Sequence, residues 1–197
     1  MKNILAIIST VVAQTLRTAA TPEDFAHEIS SRVQAIAEAH SLLTQSGEGE
    51  VSLRAIVETE LAPYGRGGNL VVAGRDVALT PTASLALAMA IHELASNAAK
   101  YGALSVPSGQ LAVEWTVAAD AAPPFLLLAW TEAGGPAVSP PTRRGFGTTL
   151  IERALAYDLD AEVKREFLPG GVRCTVSLPL TQEVGHLRTA GDAGEAS

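Results

Sequence analysis

Three polar side chains that could hold a metal ion and a phosphate group lie along one predicted helix. Glu93, Asn97 and Lys100 stand at positions i, i+4 and i+7, so a helix would present a carboxylate, an amide oxygen and an ammonium on one face. Mg²⁺ takes oxygen ligands, and water and phosphate supply much of its coordination shell. This set of side chains therefore suits a magnesium and phosphate site. A solvated helix face with a charge pair is the alternative interpretation.

A second feature is a carboxylate followed by glycines at the end of an apolar run. The segment from Trp130 through Glu132 to Gly134 and Gly135 places Glu132 where a strand meets a glycine turn. A carboxylate accepts a hydrogen bond from an exocyclic amine such as that of adenine, and glycines let a flat ring approach the backbone. A solvated glutamate at a strand end is the simpler alternative.

A third feature is a glycine-rich loop before a helix. Arg143 and Arg144 precede Gly145, Gly147 and Thr148. Free N–H groups and the positive end of the helix dipole make such a loop an anion site. Taken alone, a glycine-rich loop before a helix is weak support for phosphate binding.

The elements that must position these residues follow from periodicity, caps and breakers. We predict helices over 4–16, 21–46, 52–61, 80–101 and 147–157, and strands over 70–73, 77–79, 111–117, 125–132, 161–167 and 171–179. The strands 70–73 and 77–79 are expected to pair around Gly74-Arg75-Asp76, and the apolar run 125–132 is typical of a strand buried on both faces.

This order predicts an α+β chain with an N-terminal helical hairpin and a second domain that contains the sheet. The expected boundaries are 1–47 for the hairpin, 51–180 for the second domain and 181–197 for a disordered tail rich in Gly, Ala and acids. An isolated hairpin buries little surface, so we expect a homodimer in which two hairpins form a four-helix bundle.

Composition excludes several classes of protein. The chain has 197 residues, 47% hydrophobic and 18% charged, which is typical of a folded globular protein. The net charge of −7 argues against a nucleic-acid partner. The single cysteine, Cys174, favours a reducing, cytoplasmic location. No run reaches the roughly 18 apolar residues of a membrane segment, and we interpret the apolar start as an amphipathic helix rather than a signal peptide.

Together the three features resemble the HWE subgroup of bacterial sensor histidine kinases, members of the GHKL ATPase superfamily. The letters of that name fall on His92, Trp130 and Glu132, and the resemblance covers about residues 1–180. It implies a GHKL-type α/β sandwich that binds ATP and Mg²⁺. It also implies phosphorylation of a histidine, followed by transfer to an aspartate in the receiver domain of a response regulator.

The resemblance also implies roles for individual residues. Glu93 would be the general base or polariser for the attacking imidazole, with His92 beside it as a second catalytic candidate, and Asn97 would ligate Mg²⁺. Lys100 would contact phosphate, Tyr101 would line the nucleotide site, and Glu132 would hold the adenine amine. Two glycine boxes complete the expected site: Gly134 and Gly135 in the first, and Arg144, Gly145, Gly147 and Thr148 in the second.

The accepting histidine is the open question. In the family pattern it precedes the triplet Met1-Lys2-Asn3 by two residues, and the sequence starts at Met1. Either the sequence is a piece of a longer kinase, or the protein lacks its own acceptor.

The alternatives are a non-catalytic dimeric adaptor or phosphotransfer-type protein that binds response regulators, and an anti-sigma serine kinase of the same superfamily. The adaptor would be expected to lose nucleotide-contacting residues, and the serine kinase would not need the hairpin.

Overall fold

The computed structural model describes residues 4–46, 49–65, 68–120, 122–138, 155–156 and 159–188. Its helices are α1 (Ile4–Thr18), α2 (Pro22–Gln45), α3 (Leu53–Leu61) and α4 (Pro81–Tyr101). Its strands are β1 (Val51–Ser52), β2 (Leu70–Ala73), β3 (Val77–Leu79), β4 (Gln110–Ala118), β5 (Phe125–Ala133), β6 (Glu162–Leu168), β7 (Gly171–Pro179) and β8 (Gly185–Leu187). The predicted helices and strands occur in the predicted order in this part of the chain, together with two short strands, β1 and β8, that were not predicted.

The helices begin where their capping residues stand. Thr21 accepts a hydrogen bond from the backbone N–H of Asp24 at 3.1 Å and starts α2, and Ser52 does the same for Ala55 at 3.2 Å in α3. Thr80 caps α4 ahead of Pro81, where the fixed φ of proline suits the first helical turn. Local sequence is sufficient to explain these three starts.

The strands form two sheets. A five-stranded sheet has the order β2-β4-β5-β7-β6, with β2 parallel to β4 and the other neighbours antiparallel. A smaller antiparallel sheet has the order β1-β3-β8. Helix α4 lies in the connection between the parallel pair, because parallel neighbours need a crossover rather than a tight turn. The inward side chains of β4, β5 and β7 share one core with α3 and α4.

The expected pairing of β2 with β3 is wrong. The chain leaves β2 at Gly74, whose φ is +156°, and a Cβ there would overlap with the ring of Trp115. The indole N–H of Trp115 donates to the carbonyl of Arg75 at 2.6 Å. This packing separates the two segments, so β2 joins the large sheet and β3 joins the small one.

The expectation that β5 is buried on both faces is also wrong. Buried side chains alternate along the strand, and Phe125 and Leu127 on the other face are 36% and 44% exposed. In the described ranges the helices pack on one face of the large sheet, so alternate apolar residues of β5 face outward.

The ordered chain continues past the predicted boundary at 180. Strand β8 pairs with β3, and Val184 is buried. The backbone N–H of Thr80 donates to the carbonyl of Val184 at 3.0 Å. A segment that completes a sheet beside the start of α4 does not belong to a disordered tail, and only residues 189–197 of the predicted tail lie outside the described residues.

Candidate functional site

One part of the polar face predicted on α4 is exposed, and the other part is covered by α2. Asn97 and Lys100 are exposed, and Tyr101 at the end of the helix is 69% exposed. Glu93, one turn before Asn97, is only 7% exposed because α2 packs over it. The described residues provide no hydrogen-bond or ion-pair partner for the Asn97 amide or the Lys100 ammonium. These two groups are therefore available to a ligand, whereas Glu93 is covered.

Glu93 forms a buried ion pair with Arg32 of α2. Arg32 donates from Nε to Glu93 Oε1 at 2.6 Å and from Nη2 to Glu93 Oε2 at 3.4 Å. The same guanidinium donates to the hydroxyl of Thr15 on α1 and to Glu28, each at 2.9 Å. Because Arg32 is itself only 6% exposed, both charges of the pair are largely removed from water, and Glu28 is a second carboxylate on the same guanidinium.

His92 has protein partners at both ring nitrogens. Its Nε2 lies 2.8 Å from the Ser31 hydroxyl of α2, and its Nδ1 lies 2.9 Å from the carboxylate of Glu60 on α3. These bonds direct the imidazole toward α2 and α3. The structure therefore does not bring His92 together with Asn97 and Lys100.

Glu132 links the end of β5 to the end of α4 through two hydrogen bonds. Its Oε1 accepts the indole N–H of Trp130 at 3.0 Å, and its Oε2 accepts the backbone N–H of Ala103 at 2.9 Å. Ala103 directly follows Gly102, the C-cap residue of α4. Glu132 is 6% exposed. The carboxylate thus joins the end of β5 to the end of the helix that carries Asn97 and Lys100.

Glycines pack around this carboxylate. A Cβ at Gly102 or Gly171 would overlap with Glu132, and one at Gly135 would overlap with the backbone of Ala103. Gly134 has a φ of +67°, in the left-handed region that favours glycine. Packing and backbone conformation therefore favour glycine at Gly134 and Gly135, in addition to the role beside a nucleotide that was predicted for this first glycine box.

The second glycine box lies outside the described residues. This applies to Arg144, Gly145, Gly147 and Thr148 and to most of the helix predicted from 147 to 157. Residues 155 and 156 are helical, and Leu155 is buried in the core.

Sequence reasoning missed the partners that α2 and α3 supply, Ser31, Arg32 and Glu60. It named Trp130 and Glu132 but not the hydrogen bond between them, which could have been found because residues two apart share one face of a strand. Ser31 and Arg32 are each 61 positions from their partners on α4. No local pattern signals such a contact.

The fold is similar to that of solved histidine kinase domains. The chain superposes on the histidine kinase domain of the Erythrobacter litoralis EL346 blue-light activated histidine kinase with a TM-score of 0.68 and 18% identity, over 93% of this chain and 91% of that one. A second structure of the EL346 kinase gives a TM-score of 0.59 and 17% identity, over 91% of this chain and 63% of that one. The expected fold, helices followed by an α/β sheet as in histidine kinase domains, is thereby confirmed.

The N-terminal part of the chain is similar to the HWE histidine kinases. Residues 1–76 match the family model described as HWE histidine kinase. The chain is 34% identical over 185 residues to the blue-light-activated histidine kinases of Brucella ovis and Brucella abortus, which covers 93% of this chain and 38% of each relative. It therefore spans about two fifths of the length of these curated relatives. No helix in the described ranges is long and apolar enough to cross a membrane.

Proposed function

We propose that this chain is the catalytic core of a two-component sensor histidine kinase. It would transfer the γ-phosphoryl group of Mg-ATP to a histidine, from which an aspartate of a response regulator would take it. The observation that carries this proposal is the bond between Glu132 and the N–H of Ala103. This bond brings the base-reading candidate on β5 to the end of α4, beside the exposed Asn97 and Lys100.

The described residues fit a magnesium nucleotide. Mg²⁺ needs few protein ligands when phosphate and water supply the rest, and the exposed Asn97 amide can supply one. No cluster of three or more His, Cys, Asp or Glu side chains occurs in the described part of the chain, so the fit depends on this amide and on ligand phosphate. Lys100, one turn further on, supplies a positive charge, and Tyr101 offers an exposed ring beside them.

Glu132 fits an adenine amine despite its two internal bonds. Each carboxylate oxygen has two lone pairs, and Trp130 and Ala103 each occupy one. Burial at the end of β5 strengthens a further hydrogen bond to the carboxylate, because little water competes there. Gly134 and Gly135 keep side chains away from the adjoining backbone.

Glu93 would act on the accepting imidazole. A carboxylate within hydrogen-bond reach of the imidazole N–H can take up its proton or hold the ring while the other nitrogen attacks phosphorus. Lys100 would place a positive charge beside the phosphates of Mg-ATP, and the neutral Asn97 amide would hold the metal ion through its oxygen. The second glycine box would hold the phosphates through its backbone N–H groups.

The partners we propose are a second copy of the chain and a receiver domain. On the hairpin, Leu16 and Val33 are 67% and 38% exposed, and these apolar side chains would be covered if two hairpins formed a four-helix bundle. We place the protein in the cytoplasm, where the buried thiol of Cys174 would remain reduced.

Calorimetry with Mg-ATP tests the metal and base assignments. Asn97→Ala is expected to weaken binding by about tenfold or more, equal to 1.4 kcal/mol. The matched control Gln34→Ala removes an exposed amide that bonds Glu38 on α2, and it should leave the affinity unchanged.

Comparison of ATP with its inosine analogue tests Glu132. Glu132→Ala should weaken ATP by roughly tenfold to a hundredfold, because a charge-assisted hydrogen bond is lost. The inosine analogue has no exocyclic amine and should lose much less. If no nucleotide binds to the folded wild-type chain, the kinase proposal is wrong and the adaptor alternative is favoured.

A further inference from the structure

The carboxylate of Glu132 receives one hydrogen bond at each oxygen. The indole N–H of Trp130 donates to Oε1 at 3.0 Å, and the backbone N–H of Ala103 donates to Oε2 at 2.9 Å. These are the hydrogen-bond donors that the described part of the chain provides to it. A carboxylate with a donor on each oxygen cannot rotate without losing one of these bonds, so its plane is held from two sides.

Trp130 is packed in the core on the same face of β5 as Glu132. Burial alternates along this strand, and both side chains lie on its covered side. Trp130 is 0% exposed and lies opposite Val113 of β4 and Cys174 of β7, which are also fully buried. A close-packed core holds its side chains in defined rotamers, so the indole N–H is a fixed donor.

The other described neighbours of Glu132 bring no polar side chain to it. Leu111 of β4 lies opposite Glu132 and is buried. Gly102 and Gly171 approach so closely that a Cβ at either position would overlap with the glutamate. These neighbours surround the carboxylate without orienting it, and its direction therefore depends on Trp130 and Ala103.

The direction of the carboxylate decides which base it can accept. Each oxygen has two lone pairs, so one on each remains after the bonds from Trp130 and Ala103. A base with an exocyclic amine can donate to such a lone pair, whereas a base with a carbonyl at the same place would bring two acceptors together. Discrimination between these bases therefore requires a lone pair that is held toward the base.

We propose that Trp130 is a positioning residue that sets the base specificity of the nucleotide site through Glu132. This inference rests on the proposed function, in which Glu132 accepts the adenine amine. Because Trp130 is fully buried, it acts through the carboxylate and not by contact with the nucleotide.

Loss of the indole donor should reduce the fraction of molecules in which Glu132 points to the base. An sp³ torsion has three staggered wells, so a carboxylate released at one or two torsions samples about three to nine arrangements. The affinity for the amine-bearing base falls by the same factor as the population of the competent arrangement, which gives about threefold to tenfold.

Calorimetry with Mg-ATP and its inosine analogue measures this effect as a ratio of dissociation constants. Trp130→Phe should raise the constant for Mg-ATP by about threefold to tenfold, and that for the inosine analogue by less than about twofold. The matched control Trp115→Phe removes an indole of the same core that donates to the carbonyl of Arg75, and it should leave the ratio unchanged. Equal weakening of the two nucleotides by folded Trp130→Phe would overturn the proposal.

Nuclear magnetic resonance of the wild-type chain covers the case in which Trp130→Phe does not fold. The chain has two tryptophans, so its nitrogen-15 spectrum has two indole N–H signals, and Trp115→Phe assigns both. An amine bonded to Glu132 draws charge from the carboxylate that accepts the Trp130 indole, because linked hydrogen bonds polarise one another. Mg-ATP should therefore move the Trp130 signal more than the inosine analogue does. Equal movement with both nucleotides would contradict the proposed role of Trp130.

Glu132→Ala separates failure of this inference from failure of the proposed function. In that background Trp130→Phe should no longer change the ratio of the two dissociation constants, because the group that it positions is gone. If Glu132→Ala weakens both nucleotides equally, the base-reading role of Glu132 is wrong and Trp130 has nothing to position. If Glu132→Ala weakens ATP alone while Trp130→Phe leaves the ratio at its wild-type value, the base-reading role holds and only the role of Trp130 is refuted.

Discussion

The bond between Trp130 and Glu132 allows a direct test of how the site is held together. Trp130 is fully buried and donates to a carboxylate at 3.0 Å. Trp130→Phe removes that donor, and a hydrogen bond to a charged group contributes about 1.5–3 kcal/mol. For a chain of this length each kcal/mol shifts Tm by about 2–4 °C. We therefore expect the lost bond to lower Tm by roughly 3–12 °C, in addition to the loss of packing.

Trp115→Phe provides the control for packing. Trp115 is buried in the same core, but its indole donates to the neutral carbonyl of Arg75, and a neutral bond contributes only about 0.5–1.5 kcal/mol. Urea unfolding should therefore show a larger loss for Trp130→Phe than for Trp115→Phe. In a Glu132→Gln background the excess should shrink, since the acceptor is no longer charged. Equal losses for the two tryptophans, or no coupling to Glu132, would refute this account.

Two further predictions concern stability away from the site. Ser52→Ala should lower the free energy of unfolding by about 1–3 kcal/mol in urea titrations, because Ser52 caps α3 and also donates to Asp76 at 2.6 Å; an unchanged midpoint would contradict the capping role. Burial, aided by the negative charge of Glu60, raises the pKa of Tyr64 in the folded chain. The folded state then holds this proton more tightly than the unfolded state, so stability should fall as pH rises above about 10. Tyr64→Phe should reduce that fall in unfolding curves measured at pH 9 and 11, and a pH dependence identical to wild type would show that Tyr64 is not its source.

The sequence was sufficient for features that depend on near neighbours. Thr21, Ser52 and Thr80 predicted the helix starts, because a cap needs only an N–H two or three residues ahead. The spacing of Glu93, Asn97 and Lys100 predicted one face of α4, because helical periodicity is local. The order of three motifs along the chain was sufficient to predict the fold and the similarity to HWE histidine kinases.

The strand errors have a different origin. The turn residues around Gly74 indicated a hairpin, but Trp115 packs against that glycine and β2 pairs with β4 instead. The apolar outer positions of β5 indicated burial on both faces, but in the described part of the chain the helices cover one face of the large sheet. Strand partners and covering layers depend on residues far away in sequence, so hydrophobic pattern alone could not distinguish these cases.

The state of the proposed general base was decided by tertiary structure alone. The sequence by itself determined that Glu93 lies on a helix, one turn before Asn97. Whether Glu93 is exposed or paired depends on Arg32, which is 61 positions away on another helix. Docking of the hairpin brings Arg32 to Glu93 and removes both charges from water, and no property of either residue's neighbours in sequence predicts that pairing.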